Sequence, residues 1–332
     1  MKFDKLLTIT IPTYNRAIYV DKLLKSIYSQ YDQRLEIIVS DNASIDDTEQ
    51  IVKKYPDVVY IKNETNIGFD ANLLQCYKKA TGKYIWSIGS DDLVYPGAIP
   101  HILNFLTVNE GVTHVFLNHN FYKYDEDPTK NKNIRLNIKN DLVLKDKNKW
   151  LKICNMRITY MSVLIIASEV LSRVEDMSKY IGSWFIHTCI ALDSSKYGNY
   201  YGVISKCCVS DNLTPENANY GKKETWTFSV FGEKLYHIYF DLALNCGFKR
   251  RTLKKIYSKN ACYGFGKAII SFKAHDVEWK EDFYRYAYPY TKKFVKTWLF
   301  TIPCTLIPRI FCRFIDKYIK PIVKKIKRGG VW

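Results

Sequence analysis

The sequence predicts an α/β protein: a mostly parallel sheet with helices on its faces, followed by a mainly helical, basic C-terminal extension. Three observations predict it. In the N-terminal third, short apolar runs alternate with segments whose apolar residues recur at helical spacing. Each apolar run ends in a cluster of Pro, Asn, Asp, Gly or Ser. After Glu224 the signals become mostly helical, and residues 287–332 carry eleven Lys or Arg against one acid, Asp316.

The elements follow in order. Residues 6–11, rich in Leu, Ile and Thr, form a first strand. Val20, Leu23, Leu24 and Ile27 place a helix over 19–29. Residues 35–40 form a second strand. Ser44 and the acidic residues after it open a helix over 46–55. A third strand covers 58–61, and a helix over 70–80 is closed by Gly82. A fourth strand covers 84–88 and the next helix 97–106. Such crossover helices are what parallel strands require. Residues 114–118 read as another strand. Residues 120–149 lose periodicity and read as an irregular excursion. A strand at 160–167, a helix from Glu169, a helix at 185–192 and a strand at 202–210 complete this part. The expected division is 1–118 and 119–222 as two halves of one domain, then 223–332 as the C-terminal region.

Composition narrows the class. The chain has 332 residues and 47% hydrophobic content, enough for a sizeable core. Nine cysteines show no CxxC pair, which argues for free thiols over a disulfide framework or a zinc site. Residues 6–11 are too short for a signal-peptide core, and no apolar run reaches a bilayer-spanning length. The net charge of +17 is uneven: residues 287–332 contribute +10 (eleven minus one), leaving +7 elsewhere. No helix-turn-helix, zinc-finger or RNP-like signature accompanies it, so nucleic-acid binding is the weaker reading.

In open α/β sheets, ligands bind beyond the carboxyl ends of the strands. Four such ends are polar here. They are Pro12-Thr13-Tyr14-Asn15-Arg16, Asp41-Asn42-Ala43-Ser44, Asn66-Ile67-Gly68-Phe69-Asp70 with Asn72 beyond it, and Gly89-Ser90-Asp91-Asp92. Any one of them is ordinary turn or cap chemistry. Four in register at one edge of a sheet would line a polar crevice. Adjacent carboxylates after a buried strand call for positive charge, and oxygen ligands suit Mg²⁺ or Mn²⁺.

The runs Thr10 to Arg16, Val39 to Ser44 with Asp46-Asp47-Thr48, Asn66-Ile67-Gly68, and Ala80-Thr81-Gly82-Lys83-Tyr84 leading to Ser90-Asp91-Asp92 resemble a known family. They are similar in order and spacing to the donor half of family-2 glycosyltransferases of the GT-A fold. The wording Gly-Ser-Asp-Asp, with Asn-Ile-Gly-Phe-Asp-Ala-Asn upstream, resembles enzymes that build bacterial O-antigen and capsular polysaccharide. The resemblance implies that Pro12, Thr13, Tyr14 and Arg16 border the nucleotide base. It implies that Asp41 accepts a hydrogen bond from the base, beside Asn42. Gly68 would let backbone approach the nucleotide, with Asp70 and Asn72 near base or ribose. Asp91 would contact ribose or help place the metal, and Asp92 would ligate Mn²⁺ or Mg²⁺ at the donor diphosphate. Many family members carry a further Asp two residues before Asp91; here that position is Gly89.

An inverting transferase also needs a general base for the acceptor hydroxyl. In the family this is an acid in a Gly-Glu-Asp-like segment. The matching Gly182-Ser183-Trp184-Phe185-Ile186-His187 has no acid. His187 is therefore one candidate base. Asp211 is its rival, as base or as diphosphate-side ligand, with Asp193 and Glu175 behind it. Trp184 is either an acceptor-sugar platform or core. In the tail, Pro303 and Pro308 break the uncharged run 297–308. Ile310, Phe311, Phe314, Ile315, Tyr318 and Ile319 alternate with Arg309, Arg313, Lys317 and Lys320. That spacing suits an amphipathic helix on an anionic membrane surface.

The expected activity is metal-dependent, inverting transfer from a nucleotide-sugar, UDP-sugar favoured, to a lipid-linked oligosaccharide in bacterial surface polysaccharide synthesis. The expected acceptor is polyprenyl-diphosphate-linked. The expected place is the cytoplasm, peripheral on the inner face of the cell membrane. The alternative is an inactive nucleotide-sugar-binding module, motivated by the missing acidic base.

Overall fold

The apolar runs pair into one nine-stranded sheet whose strand order is β3-β2-β1-β4-β8-β6-β9-β5, with β7 on β9. This is seen in a computed structural model that describes residues 3–123, 134–213 and 226–320. The chain divides into two units, Met1–Thr214 and Pro215–Trp332.

In the first unit, β1 (Leu7–Thr13) lies between β2 (Leu35–Asp41) and β4 (Tyr84–Ser87), and β3 (Val58–Lys62) flanks β2, all parallel. Every residue of β1 is buried, as a central parallel strand covered on both faces requires. Its polar residues are paired. The Thr10 hydroxyl meets the Ser87 hydroxyl at 2.8 Å, and the Thr8 hydroxyl donates to Glu36 and accepts from the Gly82 amide. The helices α1 (Ala17–Tyr28), α2 (Thr48–Val52), α3 (Phe69–Lys79) and α4 (Ala98–Val108) connect these strands. On α1, Val20, Leu23, Leu24 and Ile27 face the core as their spacing predicts. The second helix is shorter than 46–55. Asp46 accepts from the Ala17 and Thr48 amides, which holds residue 46 in the loop and delays the helix to Thr48.

Beyond β4 the sheet becomes mixed. β8 (Leu164–Ala167) is antiparallel to β4, and β6 (Val112–Lys123) is antiparallel to β8. β9 (Tyr200–Leu213) runs parallel to β6, while β5 (Leu93–Val94) and β7 (Leu142–Leu144) are antiparallel to β9. Two expectations change here. The stretch 120–149 is largely structured outside 124–133, which lies beyond the described residues. β6 extends into it, β7 occupies it, and α5 (Lys147–Cys154) begins in it, capped by Asp146 accepting from the Asn148 amide. The strand expected at 160–167 starts only at Leu164, because Asn155–Thr159 and Met161–Val163 form tight 3₁₀ turns. Residue 118, where the two expected halves of the one domain meet, lies within β6. The boundary at 222/223 lies outside the described residues.

Helix α6 (Ser168–Leu171) follows β8, and α7 (Ile186–Ser194) precedes β9. The second unit is helical, built around the long helix Arg250–Ala274. Phe228 is fully buried and meets Phe265, Phe272 and Phe283 at ring-centroid distances of 5.5, 5.6 and 5.5 Å. The chain stays helical through Pro303, after a widened turn at Thr297–Thr301, and breaks at Pro308. Among the described residues no single helix is long and apolar enough to cross a membrane. Thr297–Leu306 and Arg309–Ile319 have the length and composition together but are bent by 108°.

Candidate active site

Parallel pairing brings the strand ends into line: Thr13 faces Asp41, Asp41 faces Lys62, and Thr10 faces Ser87. The loops after β1 and β2 then interlock. The Asn15 amide donates to the Ser44 hydroxyl at 2.8 Å, and the Ile45 amide to the Asn15 side chain at 2.9 Å. Asn15 and Ala43 both adopt left-handed backbone conformations, with φ of 51° and 66°. For Ala this costs about 1 kcal/mol, so the surrounding bonds must hold it.

Several residues expected to touch the nucleotide are hydrogen-bonded within the protein. Asp41 is fully buried; its oxygens accept from the Ser44 amide at 2.8 Å and the Tyr60 hydroxyl at 2.5 Å. Asn42 donates to Asn66 and accepts from Asn63 and the Ile67 amide. Asn72 is clasped by Ser40 and Asn63. This buried amide network welds β2, the loop after β3 and α3 together, which withdraws Asp41, Asn42 and Asn72 from the crevice surface. Pro12 and Thr13 are also buried. Asp70 accepts from the Gly182 and Trp184 amides at 2.8 and 3.1 Å, tying the start of α3 to the loop before α7. Tyr14 and Gly68 remain exposed, and Arg16 half-buried over Tyr19. Gly68 has φ +83°, a conformation that glycine alone adopts without strain.

The carboxylates lie at the centre. Trp86, fully buried, donates its indole N–H to the Ser162 carbonyl at 2.7 Å. The Ser162 hydroxyl accepts from the Gly89 amide at 2.8 Å and donates to Asp92 Oδ2 at 2.5 Å. The Asn212 amide reaches Asp92 Oδ1 at 3.4 Å. Asp92 is 3% exposed. Burial pushes its pKa well above the ordinary value, and the charges of Asp91 and Asp211 push it further. Asp211, half-buried at the end of β9, is raised to about 6 by burial and then by Asp91, against Arg135. Among the described residues no three His, Cys, Asp or Glu side chains converge to hold a metal ion unaided. The adjacent carboxylates Asp91 and Asp92, all-oxygen donors, nevertheless fit a hard divalent cation that would take its other ligands from a bound diphosphate. A β-carbon on Gly89 would sit 2.7 Å from Asp92 Oδ2. An aspartate at 89 and this placement of Asp92 exclude each other.

This architecture matches known proteins. Residues 8–165 match the family described as "Glycosyl transferase family 2". Over that stretch, just under half of the chain, it is similar to family 2 glycosyl transferases. Abequosyltransferase RfbV of Salmonella typhimurium is 36% identical over 108 residues, 30% of this chain and 32% of that protein. The GalNAc(5)-diNAcBac-PP-undecaprenol beta-1,3-glucosyltransferase of Campylobacter jejuni is 33% identical over 117 residues, 34% of this chain and 37% of that one. The chain thus matches about a third of each relative's length. S. aureus TarS 1-349 in complex with UDP-GlcNAc superposes with a TM-score of 0.61 at 17% identity, over 83% of this chain and 77% of that chain. Mannosyltransferase PcManGT from Pyrobaculum calidifontis, in complex with GDP-Man and Mn²⁺, gives 0.53 at 15% identity, over 92% and 90%. These likenesses establish the GT-A fold.

Beyond the matched stretch, the two candidate bases part company. His187 is 3% exposed on α7, and its Nε2 donates to the Thr159 carbonyl at 2.8 Å. Burial lowers its pKa to about 4. It packs the 3₁₀ turn before β8 and offers no open nitrogen to solvent. Asp193 is committed to Lys179, Lys196 and the Tyr180 hydroxyl, and Glu175 is exposed on the surface. Asp211 alone among the candidates lies in the field of Asp91. Trp184 is exposed, with φ of 67°. Ser162, Tyr160, Arg135, Arg157 and Asn212 were not found from sequence. They come from strands and turns that carry no motif, and only the sheet brings them to the site.

Two outcomes follow from this geometry. Gly89→Ala should destabilise by about 1–2 kcal/mol in urea unfolding, because the new methyl forces Asp92 off Ser162. Combined with Ser162→Ala the effects should be strongly non-additive; simple additivity would mean the two changes act separately. For Asp211, the folded-state pKa lies above the unfolded value near 3.8, so the folded protein binds the extra proton. Its contribution is neutral below about pH 4 and turns unfavourable as pH rises through about 6. In chelator at pH 7.5, Asp211→Asn should therefore add about 2 kcal/mol of stability, with the gain shrinking toward pH 5. A gain that does not vary with pH would refute this.

Proposed function

We propose that the chain is a metal-dependent, inverting glycosyltransferase. It moves a sugar from a nucleotide-sugar, UDP-sugar favoured, to a lipid-linked saccharide in bacterial surface polysaccharide synthesis. The observation that carries this reading is the Asp91–Asp92–Asp211 cluster at the strand ends beside the crevice. The family 2 match supports it, as do relatives named for abequosyl transfer and for glucosyl transfer to an undecaprenol-linked glycan. The UDP preference leans on the likeness to TarS, whose structure holds UDP-GlcNAc.

In this mechanism Tyr14, Arg16 and Gly68 border the nucleotide over the buried Asp41–Asn42–Asn72 frame. Asp91 and Asp92 would hold Mn²⁺ or Mg²⁺, which would supply Lewis-acid compensation of charge on the departing diphosphate. Asp211 is the general base. The acceptor oxygen bonds to the anomeric carbon, the carbon–oxygen bond to the diphosphate breaks with its electron pair, and the acceptor proton passes to an Asp211 oxygen. A pKa of about 6 leaves Asp211 ionised at neutral pH while still able to take a proton. Trp184 offers an exposed aromatic face to the acceptor.

The C-terminal region would hold the enzyme at the inner face of the cell membrane. Trp298, Leu299, Leu306, Ile310, Phe311 and Phe314 are all exposed there, among Arg309, Arg313 and Lys317. Single exposed apolar residues are common, but a run of this density beside cations suits an anionic lipid surface. The residues after 320 lie outside the described structure.

Asp211→Asn should lower kcat by about 100-fold or more while leaving UDP–Mn²⁺ affinity nearly unchanged. Asp92→Asn should abolish transfer in a chain that still folds. Full turnover in either variant would reject the assignment of that residue. Deleting residues 297–332 should release the protein from phosphatidylglycerol liposomes in a sedimentation assay; unchanged sedimentation would show that the tail is not the anchor.

A further inference from the structure

Two arginines lie near the proposed base: Asp211 offsets part of the charge of Arg135, and no carboxylate among the described residues pairs with Arg157. Arg135 lays its guanidinium over the Phe121 ring at 4.1 Å, and its amide donates to the His119 carbonyl at 2.9 Å. Phe121 pairs directly with Asp211 across β6 and β9. Arg157 sits on the turn whose carbonyl accepts from the Tyr160 amide at 3.0 Å, and the Tyr160 ring meets His119 at 5.3 Å. The charges of both arginines act on His119. Among the described residues neither guanidinium forms an ion pair or a side-chain hydrogen bond.

The polar atoms around them are unpartnered as well. His119 Nδ1, the Tyr160 hydroxyl and both ends of the Asn212 amide are buried without a hydrogen-bond partner. His119 is 6% exposed and Asn212 1%. Folded proteins pair such atoms almost everywhere, so four together mark a place that a ligand or water fills. The local charge says which kind of ligand. Surrounding protein lowers the pKa of Arg135 and Arg157, and Arg157 lowers Arg135 further. Burial takes His119 down to about 3, helped by both arginines. A neutral ligand would leave two cations facing one another; an oxyanion would remove that repulsion. The guanidinium fork matches phosphate and carboxylate oxygens in pairs.

We propose that Arg135 and Arg157 form an oxyanion subsite on the acceptor side, for a phosphate or carboxylate carried close to the reacting hydroxyl. This rests on Asp211 being the base, because it is Asp211 that borders Arg135. The residues lie outside the four strand-end loops that border the donor, where the diphosphate would be met by the cation that Asp91 and Asp92 would hold. The acceptor would then be an acidic or phosphate-bearing glycan rather than a neutral one. Arg135 is exposed, so such a group can reach it from solvent.

The test is isothermal titration of the full chain, saturated with UDP and Mn²⁺. The probes are glucose 1-phosphate, methyl glucuronide and neutral methyl glucoside. At least one anionic probe should bind about tenfold more tightly than methyl glucoside. Arg135→Gln and Arg157→Gln should each remove about tenfold of that affinity, with Arg135→Lys recovering part of it and UDP affinity unchanged. Which anionic probe binds separates phosphate from carboxylate. Equal affinity for all three probes, or no effect of either substitution, would overturn the proposal. So would a parallel loss of UDP affinity, which would assign the pair to the donor diphosphate. If the wild type binds no UDP, the donor reading fails on its own. The anionic titration is then run without nucleotide, and its dependence on the two arginines decides the subsite separately.

Discussion

The Ser162 hydroxyl is the bond on which the site's geometry depends. It joins the Gly89 amide to the Asp92 carboxylate, and Ser162 is itself held by the buried Trp86 indole. Three pieces of chain distant in sequence are locked by one small side chain. The pairing of β4 with β8 sets it up by placing Trp86 opposite Ile165. The missing side chain at Gly89 makes room for it. With Asp92 so held, Asp91 is left as the more open of the two carboxylates, and Asp211 comes to share its field.

Around that lock the protein separates frame from working surface. The frame is a buried set of Asn, Ser and Asp side chains whose hydrogen bonds are satisfied by each other. Such a network holds strained loop conformations, as at Asn15 and Ala43, and keeps the crevice in shape before any ligand arrives. The working surface behaves in the opposite way. Asp91, Asp92 and Asp211 repel one another, and Arg135 and Arg157 do the same nearby. Like charge on both sides of the proposed base, which the attraction between Asp211 and Arg135 relieves only in part, is costly for folding and is what a site built for charged ligands requires.

Legibility from sequence followed the range of the interactions. Strand and helix periodicity identified α1 and the first four strands, because burial of one face leaves a local imprint on composition. The polar strand ends were visible because parallel pairing places them all at one edge. Asp41, Asn42 and Asn72 stand out in the sequence as polar residues at strand ends, and the structure turns their side chains inward to one network. Sequence shows that a residue is polar at a loop, but not whether its side chain turns outward to a ligand or inward to a network. His187 is drawn inward in the same way, by the Thr159 carbonyl 28 residues away.

By itself the sequence determined the α/β class, the donor-side motifs and the uneven charge, since each is written in local pattern or in composition. Only the tertiary structure decided the mixed sense of the sheet, the anchoring of Asp92 by Ser162, the withdrawal of His187 and the meeting of Asp211 with Arg135. These depend on which strands pair and in what register. A one-residue slip of a strand turns every side chain to the other face, and no local pattern in β6, β8 or β9 specifies that register.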